Sequence, residues 1–276
     1  MGWRLLSRRR IGELLTTHGL RPSRALGQNF VADPNTVRRI ARLAEVGEDD
    51  AVVEIGAGLG SLTLALAETG ASVTAVEVDR HLLPVLREQV EAAGVRVVEG
   101  DARTLDWKRV LARRERWVLV ANLPYNVATP LVLDLLDQVP QIQRMLVMVQ
   151  REAGERLVAG PGDEAYGVPS LKVAYHAEAA IVGRVPSTVF VPQPRVESVL
   201  VRIVRRPRPA VESGPDLLFS LVRQAFGQRR KMLRRSLAGR VPADAFARAG
   251  IDPEARPEQL GIEAWGRLAD AVAALG

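Results

Sequence analysis

The segment Asn122-Leu123-Pro124-Tyr125 directly follows an apolar run at residues 117–121. An apolar run that breaks into Asn and Pro is typical of a buried strand ending at the carboxyl edge of a sheet, where open α/β sheets bind ligands. The Asn122 oxygen and the carbonyl before Pro124 can each accept a hydrogen bond from an exocyclic amine, and Tyr125 can stack on a flat base. These residues suit alkylation of an adenine N6 amine without a general base. A turn that only caps the strand is the alternative.

A second candidate site lies earlier, in residues 51–68. A short β-branched run leads into Gly56, Gly58 and Gly60, and a helical pattern begins at Ser61. Glycines at this spacing permit a tight turn and let a ligand approach the backbone closely. Ser61 stands where a dinucleotide-binding fingerprint has its last glycine, which counts against a nicotinamide cofactor.

Acidic residues follow the next two predicted strands. Glu77 comes after the apolar run at 72–76, about 20 residues beyond the glycine loop, where a carboxylate can bind ribose hydroxyls. Asp101 comes after the run at 95–98 and can accept a hydrogen bond from an adenine amino group. Four consecutive strands therefore end in glycines or polar side chains at one sheet edge. This pattern fits S-adenosylmethionine, from which methyl transfer is an in-line displacement driven by positioning.

Taken together, these motifs resemble those of the ribosomal RNA adenine N6-dimethyltransferases, the KsgA/Erm superfamily, and specifically its KsgA branch (also called RsmA). The resemblance covers nearly the whole chain and is carried by residues 26–31, 53–60, 77, 100–102, 122–125, 150–156, 165–167, 189–198 and 225–231. It implies an enzyme that dimethylates two adjacent adenosines near the 3′ end of 16S ribosomal RNA. The implied partner is an immature small subunit, and S-adenosylhomocysteine is the implied product.

The resemblance also implies roles for individual residues. The catalytic residues would be Asn122, Pro124, Tyr125 and Phe190, with the Phe190 and Tyr125 rings on opposite faces of the target base. The donor would be held by eight residues, of which the first two close over its methionine end: Asn29, Val31, Gly56, Gly58, Glu77, Asp101, Ala102 and Asn122. The family usually has Leu at position 31 and often Pro at position 57, so Val31 and Ala57 are departures.

Other functions remain open at this point. An Erm-type enzyme, which methylates 23S ribosomal RNA and confers macrolide resistance, shares the glycine loop and the Asn-Leu-Pro-Tyr loop. Residues 165–167 and 226–231 favour the KsgA branch. A ribosome assembly factor whose methylation is secondary is an alternative of another class. A DNA adenine methyltransferase usually has Pro where Leu123 stands.

Composition narrows the class of protein. The chain has 276 residues, 47% of them hydrophobic and 25% charged, which is enough for one large and one small domain. The absence of cysteine excludes disulfides and thiolate metal sites, and the three histidines show no ligand spacing, so no metal site is predicted. No apolar stretch approaches 18 residues and no signal peptide is evident. We expect a cytoplasmic monomer that does not bind membranes.

Positive charge indicates a polyanionic partner. The formal net charge is +6 and the sequence pI is about 10.4, and five cations fall within residues 229–235. If this run is helical, Met232, Leu233 and Leu237 face inward. A solvated helix face is the alternative. We predict RNA phosphate contacts from the surrounding cations, namely Arg223, Arg229, Arg230, Lys231, Arg234 and Arg235.

The order of predicted elements gives an α/β fold. Strand and helix patterns alternate over residues 34–158, which predicts a Rossmann-like, mostly parallel methyltransferase sheet. Residues 166–204 are rich in β-branched residues and would complete it with an antiparallel hairpin whose last strand is 198–204. An Arg- and Pro-rich linker at 205–209 then divides the chain. Residues 1–205 would form an N-terminal helix and the catalytic domain, and 206–276 a small, basic, all-helical RNA-binding domain.

Overall fold

The alternating pattern folds into a seven-stranded sheet in the computed structural model, which describes residues 5–125 and 127–275. The strands of this sheet are β2 (Ala51–Ile55), β3 (Ser72–Glu77), β4 (Arg96–Glu99), β5 (Trp117–Asn122), β6 (Ile142–Gln150), β7 (Ala177–Val185) and β9 (Ser198–Arg205). Their order across the sheet is β4-β3-β2-β5-β6-β9-β7. The five neighbouring strands β4, β3, β2, β5 and β6 pair in parallel, and β9 pairs antiparallel to β6. The predicted α/β class is confirmed.

A short ribbon accompanies the main sheet. It consists of β1 (Phe30–Val31) and β8 (Phe190–Val191), which pair antiparallel, Phe30 opposite Val191 and Val31 opposite Phe190. The Arg8 side chain donates to the backbone carbonyls of Thr188, at 2.5 Å, and Phe190, at 3.2 Å. This ribbon therefore joins two segments about 160 residues apart in the chain.

The described residues contain twelve α-helices. They are α1 (Arg8–Thr17), α2 (Pro34–Leu43), α3 (Ser61–Ala67), α4 (Leu83–Val90), α5 (Trp107–Val110), α6 (Ala128–Gln138), α7 (Arg151–Val158), α8 (Val168–His176), α9 (Pro215–Phe226), α10 (Leu233–Ser236), α11 (Ala243–Ala249) and α12 (Ile262–Ala273). The start of α2 follows from local sequence: Asp33 accepts from the amides of Asn35 and Thr36, and Pro34 occupies the first turn. Among the described residues, no helix is long and apolar enough to cross a membrane.

Burial on both faces of the sheet accounts for the apolar sequence of its central strand, β2. Every residue of β2 is buried, as expected for a central parallel strand covered on both faces. Apolar side chains of α2 and α3 pack in one cluster that includes Val37, Ile40 and Leu66, and α4 contributes Leu86 to another.

The described residues divide into two units. The first runs up to Gly154 and includes Ala180–Val204, and the second comprises Glu155–Ala179 and the residues from Arg205 onward. The predicted boundary at 205/206 places residues 155–179 in the catalytic domain, whereas in the structure they belong to the second, helical unit. The reason is packing, because Tyr166, Leu171 and Tyr175 are buried in the core of the helical unit with Leu218 and Trp265.

One predicted element was wrong. Residues 168–176 form α8, although the segment from 166 was expected to be part of the sheet. Its β-branched residues, Val168 and Val173, belong to a helix that buries Leu171 and Tyr175 four residues apart, on one face. The predicted last strand is present as β9, and the predicted N-terminal helix as α1, while residues 1–4 lie outside the described residues.

Candidate active site

The carboxyl ends of three neighbouring strands, β3, β2 and β5, form one wall of a cleft. The amides of Gly56 and Ala57, after β2, donate to the Val76 carbonyl in β3 at 2.9 and 3.2 Å. The Gly100 amide, after β4, donates to the Glu77 carbonyl at 2.9 Å. Backbone hydrogen bonds therefore fix the strand ends against one another.

The glycine loop between β2 and α3 approaches the cleft closely because it lacks side chains. Gly58 has a φ of +59°, and a Cβ built there would lie 3.0 Å from the ring of Phe30 in β1. An L side chain at this position would be strained and would press on the ribbon. The loop therefore requires glycine here for both conformation and space.

Glu77 is held by the backbone around it. Its carboxylate is buried; Oε2 accepts from the Gly58 amide at 2.7 Å, and Oε1 accepts from the amides of Val78 and Asp79, each at 2.9 Å. Burial raises the pKa of Glu77, and the three amides oppose this by favouring the charged form. Since a carboxylate has about four acceptor positions, one direction on Oε2 remains for a ligand hydroxyl.

Glu54 is a second buried carboxyl in the cleft lining. It lies in β2, is 2% exposed and accepts a hydrogen bond of 2.5 Å from the Thr63 hydroxyl in α3. Burial raises its pKa to about 8, and the nearby charge of Glu77 adds to the rise, while the bond from Thr63 lowers it. Glu54 is not among the predicted site residues, although an acidic residue within an otherwise apolar strand is a usable signal.

Ser61 supplies an unpaired hydroxyl. It is buried at the start of α3, it lines the cleft, and its Oγ has no hydrogen-bond partner among the described residues. A buried polar atom without a partner is destabilising unless a ligand or water completes it. The place of Ser61 in the lining was not predicted, because in the sequence Ser61 is notable only for standing where a dinucleotide-binding fingerprint has a glycine.

Asn122 is fixed in orientation at the end of β5. Its side-chain Nδ2 donates to the backbone carbonyl of Asn29, at 3.0 Å, while the Asn29 side chain donates to the Gly27 carbonyl, also at 3.0 Å. Within the described part of the chain, no group donates to the Asn122 Oδ1. The amide therefore presents a free acceptor in the cleft, as the proposed chemistry at an amine requires.

Most of the predicted site residues lie together. The cleft lining includes Pro124 and Tyr125 beside Asn122, and it also includes Asn29, Val31, Gly56, Gly58 and Glu77. Tyr125 is half-buried, and its hydroxyl lies 2.9 Å from the Ser198 hydroxyl. Burial raises the pKa of Tyr125, partly offset by this hydrogen bond. The lining also includes Leu26 and Gln28, which belong to the motif at 26–31 but were not predicted as site residues.

Three predicted residues do not line the cleft. Asp101 instead binds the Arg103 guanidinium, with Nη2 at 2.6 Å from Oδ2, which holds the pKa of Asp101 below its usual range. Ala102 is buried, and its carbonyl accepts from the Trp107 indole at 3.0 Å. Phe190 has no exposed surface, because its ring belongs to the core beneath the ribbon. The expectation that the Phe190 ring is available to a base is not met in this structure.

Comparison with known sequences decides the family. The model of the family described as "Ribosomal RNA adenine dimethylase" matches residues 20–274 of this chain. The chain belongs to the ribosomal RNA adenine dimethylase family.

Relatives of this dimethylase are similar over nearly their whole length. The chain is 50% identical over 275 residues to the ribosomal RNA small subunit methyltransferase A of Cutibacterium acnes, covering 94% of this chain and 91% of that protein. It is 48% identical over 275 residues to the protein of the same name from Kineococcus radiotolerans, covering 96% and 91%. These similarities agree with the expected branch.

Solved structures share the fold. A dimethyladenosine transferase from Plasmodium falciparum superposes with a TM-score of 0.73 at 24% identity, covering 86% of this chain and 94% of that one. The 23S rRNA methyltransferase ErmE superposes with a TM-score of 0.68 at 28% identity, covering 89% of this chain and all of that one.

The predicted RNA-binding cations of this dimethylase lie in the helical unit, but not on one helix. Residues 228–232 form turns between α9 and α10, so the run at 229–235 is helical only from Leu233. Leu233 and Leu237 are buried as predicted, whereas Met232 is exposed, because it precedes the helix instead of sharing its inner face.

Counter-charges divide these cations into two groups. Arg229 lies 3.8 Å from Glu258 and also donates to the Glu164 carbonyl, and Arg234 lies 3.2 Å from Glu254. The other four show no ion pair or side-chain hydrogen bond among the described residues: Arg223, Arg230, Lys231 and Arg235.

Proposed function

We propose that this protein transfers methyl groups from S-adenosylmethionine to N6 of two adjacent adenosines near the 3′ end of 16S ribosomal RNA. The acceptor is an immature small subunit in the cytoplasm, the products are N6,N6-dimethyladenosines and S-adenosylhomocysteine, and the protein acts as a monomer. The observation that carries the proposal is Asn122, a residue of the cleft lining whose Nδ2 donates to the Asn29 carbonyl and whose Oδ1 accepts from no group among the described residues. Membership of the dimethylase family supports the same reaction.

The cleft fits the proposed donor. S-adenosylmethionine supplies an activated methyl group on a sulfonium. Glu77 offers its remaining acceptor direction to a ribose hydroxyl, and the Ser61 hydroxyl gains the partner that it lacks. The bare backbone at Gly56 and Gly58 lets the donor approach the ends of the strands. Asp101 would bind the donor adenine after releasing Arg103.

The acceptor side needs hydrogen-bond acceptors and a stacking surface. In the first transfer Asn122 Oδ1 and the Leu123 carbonyl each accept one N6–H, and in the second transfer one of them accepts the single remaining N6–H; this localises the nitrogen lone pair for attack on the methyl group. The target adenine must leave its stack, at a cost of a few kcal/mol, and stacking on Tyr125 offsets part of that cost. The N6 proton leaves to solvent after the methyl group has moved, so no general base is required.

The small-subunit substrate is favoured over the large-subunit one. The relatives that are 48–50% identical over nearly the whole chain are named for the small subunit, whereas ErmE is 28% identical. The donor loop and the Asn-Leu-Pro-Tyr loop do not separate the two substrates, so overall similarity supports this part of the proposal.

The test is transfer of labelled methyl groups to three acceptors: small subunits lacking the dimethyladenosines, large subunits and duplex DNA. We expect four methyl groups per small subunit and none on the others. Asn122→Ala should abolish transfer while leaving donor affinity within a few-fold, and Asn35→Ala, at the start of α2, should behave as wild type. Transfer to large subunits would instead show that the protein is a 23S rRNA methyltransferase like ErmE. Binding to small subunits without transfer would indicate a ribosome assembly factor.

Phosphate binding by the helical unit is tested separately. The double reversal Arg230→Glu with Lys231→Glu removes two cations without counter-charges, and we expect affinity for small subunits to fall more than tenfold at low salt, with a shallower salt dependence. Arg42→Glu with Arg87→Glu gives the same change in net charge on α2 and α4 and should matter less. Equal affinities for the two double variants would assign residues 230 and 231 to a solvated surface.

A further inference from the structure

Tyr125 has one anchoring hydrogen bond among the described residues. Its hydroxyl lies 2.9 Å from the hydroxyl of Ser198, the first residue of β9, and Ser198 has no exposed surface. Tyr125 itself lies in the turn that follows β5 and is half-buried. The side chain of a residue in a turn can swing about its Cα–Cβ bond unless its far end is held. This contact therefore fixes the position of the far end of the ring.

Strand β6 pairs with both strands that position the Asn122–Tyr125 segment, β5 and β9. Asn122 lies opposite Met148 in the β5–β6 pairing, and the Leu123 amide donates to the Met148 carbonyl at 3.1 Å. Ser198 lies opposite Gln150 in the β6–β9 pairing. Residues 148 and 150 are two positions apart on one strand, roughly 6.7 Å. The amide of Asn122 and the hydroxyl of Tyr125 are thus fixed relative to the same strand.

We infer that Ser198 is a positioning residue for methyl transfer, which holds the Tyr125 ring so that a base stacked on it presents N6 to Asn122 Oδ1. Ser198 is too deeply buried to touch the base and acts through Tyr125 alone. The inference rests on the proposed function, because it takes Tyr125 to be the stacking surface. Nothing in the pattern of the chain assigns Ser198 this role; only the hydrogen bond does.

A double-mutant cycle tests the coupling. Ser198→Ala, Tyr125→Phe and the double variant of the full-length protein are compared for kcat on small subunits lacking the dimethyladenosines, with donor Kd measured by calorimetry. Each single variant removes the same hydrogen bond, so we expect kcat to fall about five- to tenfold, the size of one such bond. The double variant should be no slower than either single variant, and donor Kd should not change. Ser198→Cys, with a similar volume and a weaker hydrogen bond, should be intermediate.

The matched control is Ser213→Ala. Ser213 is a buried serine of the helical unit whose Oγ donates to the Gly266 carbonyl at 3.0 Å, and its loss should leave kcat unchanged. Wild-type kcat in Ser198→Ala would overturn the inference, and so would single effects that multiply in the double variant. If Ser198→Ala does not fold, Ser198→Cys and Tyr125→Phe complete the comparison. The proposed function fails separately, if the wild-type protein transfers no methyl group to small subunits.

Discussion

Two groups of carboxyl side chains near the strand ends are held by different means: we call Glu77 and Glu54, which line the cleft, its floor, and Asp101 with Arg103, which lie outside the lining, its rim. On the floor, Glu77 is 4% exposed and accepts hydrogen bonds from three backbone amides. On the rim, Asp101 is partly exposed and is bound by a single flexible side chain, Arg103, which is itself 60% exposed. Both carboxylates are expected to bind the same donor, so they share a function and differ in the groups that hold them.

The difference shows which part of the site is preorganised. The amides that hold Glu77 belong to the backbone that follows β2 and β3, so this carboxylate cannot turn without losing three hydrogen bonds. The Arg103 side chain can swing into solvent at little cost, since exposed ion pairs contribute little stability. We therefore expect Glu77 to bind the donor in its present conformation, and Asp101 to bind it only after Arg103 has moved.

Removing the floor carboxylate should have the largest effect on binding. Glu77→Ala deletes the acceptor for a ribose hydroxyl, a charge-assisted hydrogen bond of about 1.5–3 kcal/mol, so we expect donor Kd to rise ten- to hundredfold. It also leaves three amides without their acceptor. Glu77→Gln keeps one oxygen and should lose less affinity. Calorimetric titration of the donor measures both, and an unchanged Kd in Glu77→Ala would assign Glu77 a purely structural role.

The other floor carboxyl should make stability depend on pH. The pKa of Glu54 is about 8 in the folded chain against an ordinary value of 4.5. Between these values the unfolded chain releases a proton that the folded chain keeps, so stability falls as pH rises from about 4.5 to 8 and levels off above. The total is on the order of a few kcal/mol.

This pH dependence is checked by urea unfolding at pH 5.5, 7 and 8.5. In Glu54→Gln the contribution of this group is absent, so the variant should gain stability relative to wild type as pH rises. Glu115→Gln, at an exposed position, should follow the wild-type profile. Parallel profiles for wild type and Glu54→Gln would contradict the assignment.

A methyl group added to the glycine loop should lower both stability and donor affinity, with a smaller effect on donor affinity than removal of the Glu77 carboxylate. Gly58→Ala introduces a Cβ at a φ of +59° and 3.0 Å from the Phe30 ring. We expect a loss of about 1–2 kcal/mol in unfolding free energy and a several-fold rise in donor Kd. Gly94→Ala has a similar φ, +67°, with open space around it, so it isolates the backbone strain. Equal donor Kd values for the two variants would show that the contact with Phe30 does not matter.

The rim should show the smallest effect, and in the opposite direction. Arg103→Ala frees Asp101 for the donor adenine, so donor binding should become tighter by no more than about fivefold, and less at high salt. Arg9→Ala, which breaks the exposed pair with Glu13, is the control. Weaker donor binding in Arg103→Ala would mean that Arg103 itself contacts the donor.

Local sequence was sufficient for the framework of the site. The four strands that end in Gly56, Glu77, Asp101 and Asn122 could be predicted because parallel strands are apolar runs and their carboxyl ends meet at one edge. The glycine spacing predicted a close backbone approach, and Gly58 lies against Phe30 as such an approach requires.

Tertiary contacts account for what sequence did not predict. The engagement of Asp101 by Arg103 and the burial of Phe190 depend on side-chain choices that no periodicity encodes. The helix at 168–176 replaced an expected strand because its apolar residues pack into the helical core, which overrides β propensity. The unpaired hydroxyl of Ser61 became visible only once its surroundings were known.

The ribbon of β1 and β8 sets a time at which the cleft is completed during synthesis. The carbonyl of Asn29, which orients Asn122, immediately precedes β1, and β1 has as its partner a strand made about 160 residues later. At typical elongation rates of 5–20 residues per second this interval lasts about 8–30 s. A nascent chain therefore contains the glycine loop and Asn122 well before β1 can pair with β8. Competence to bind the donor should arise late, after the Phe190–Val191 segment has left the ribosome.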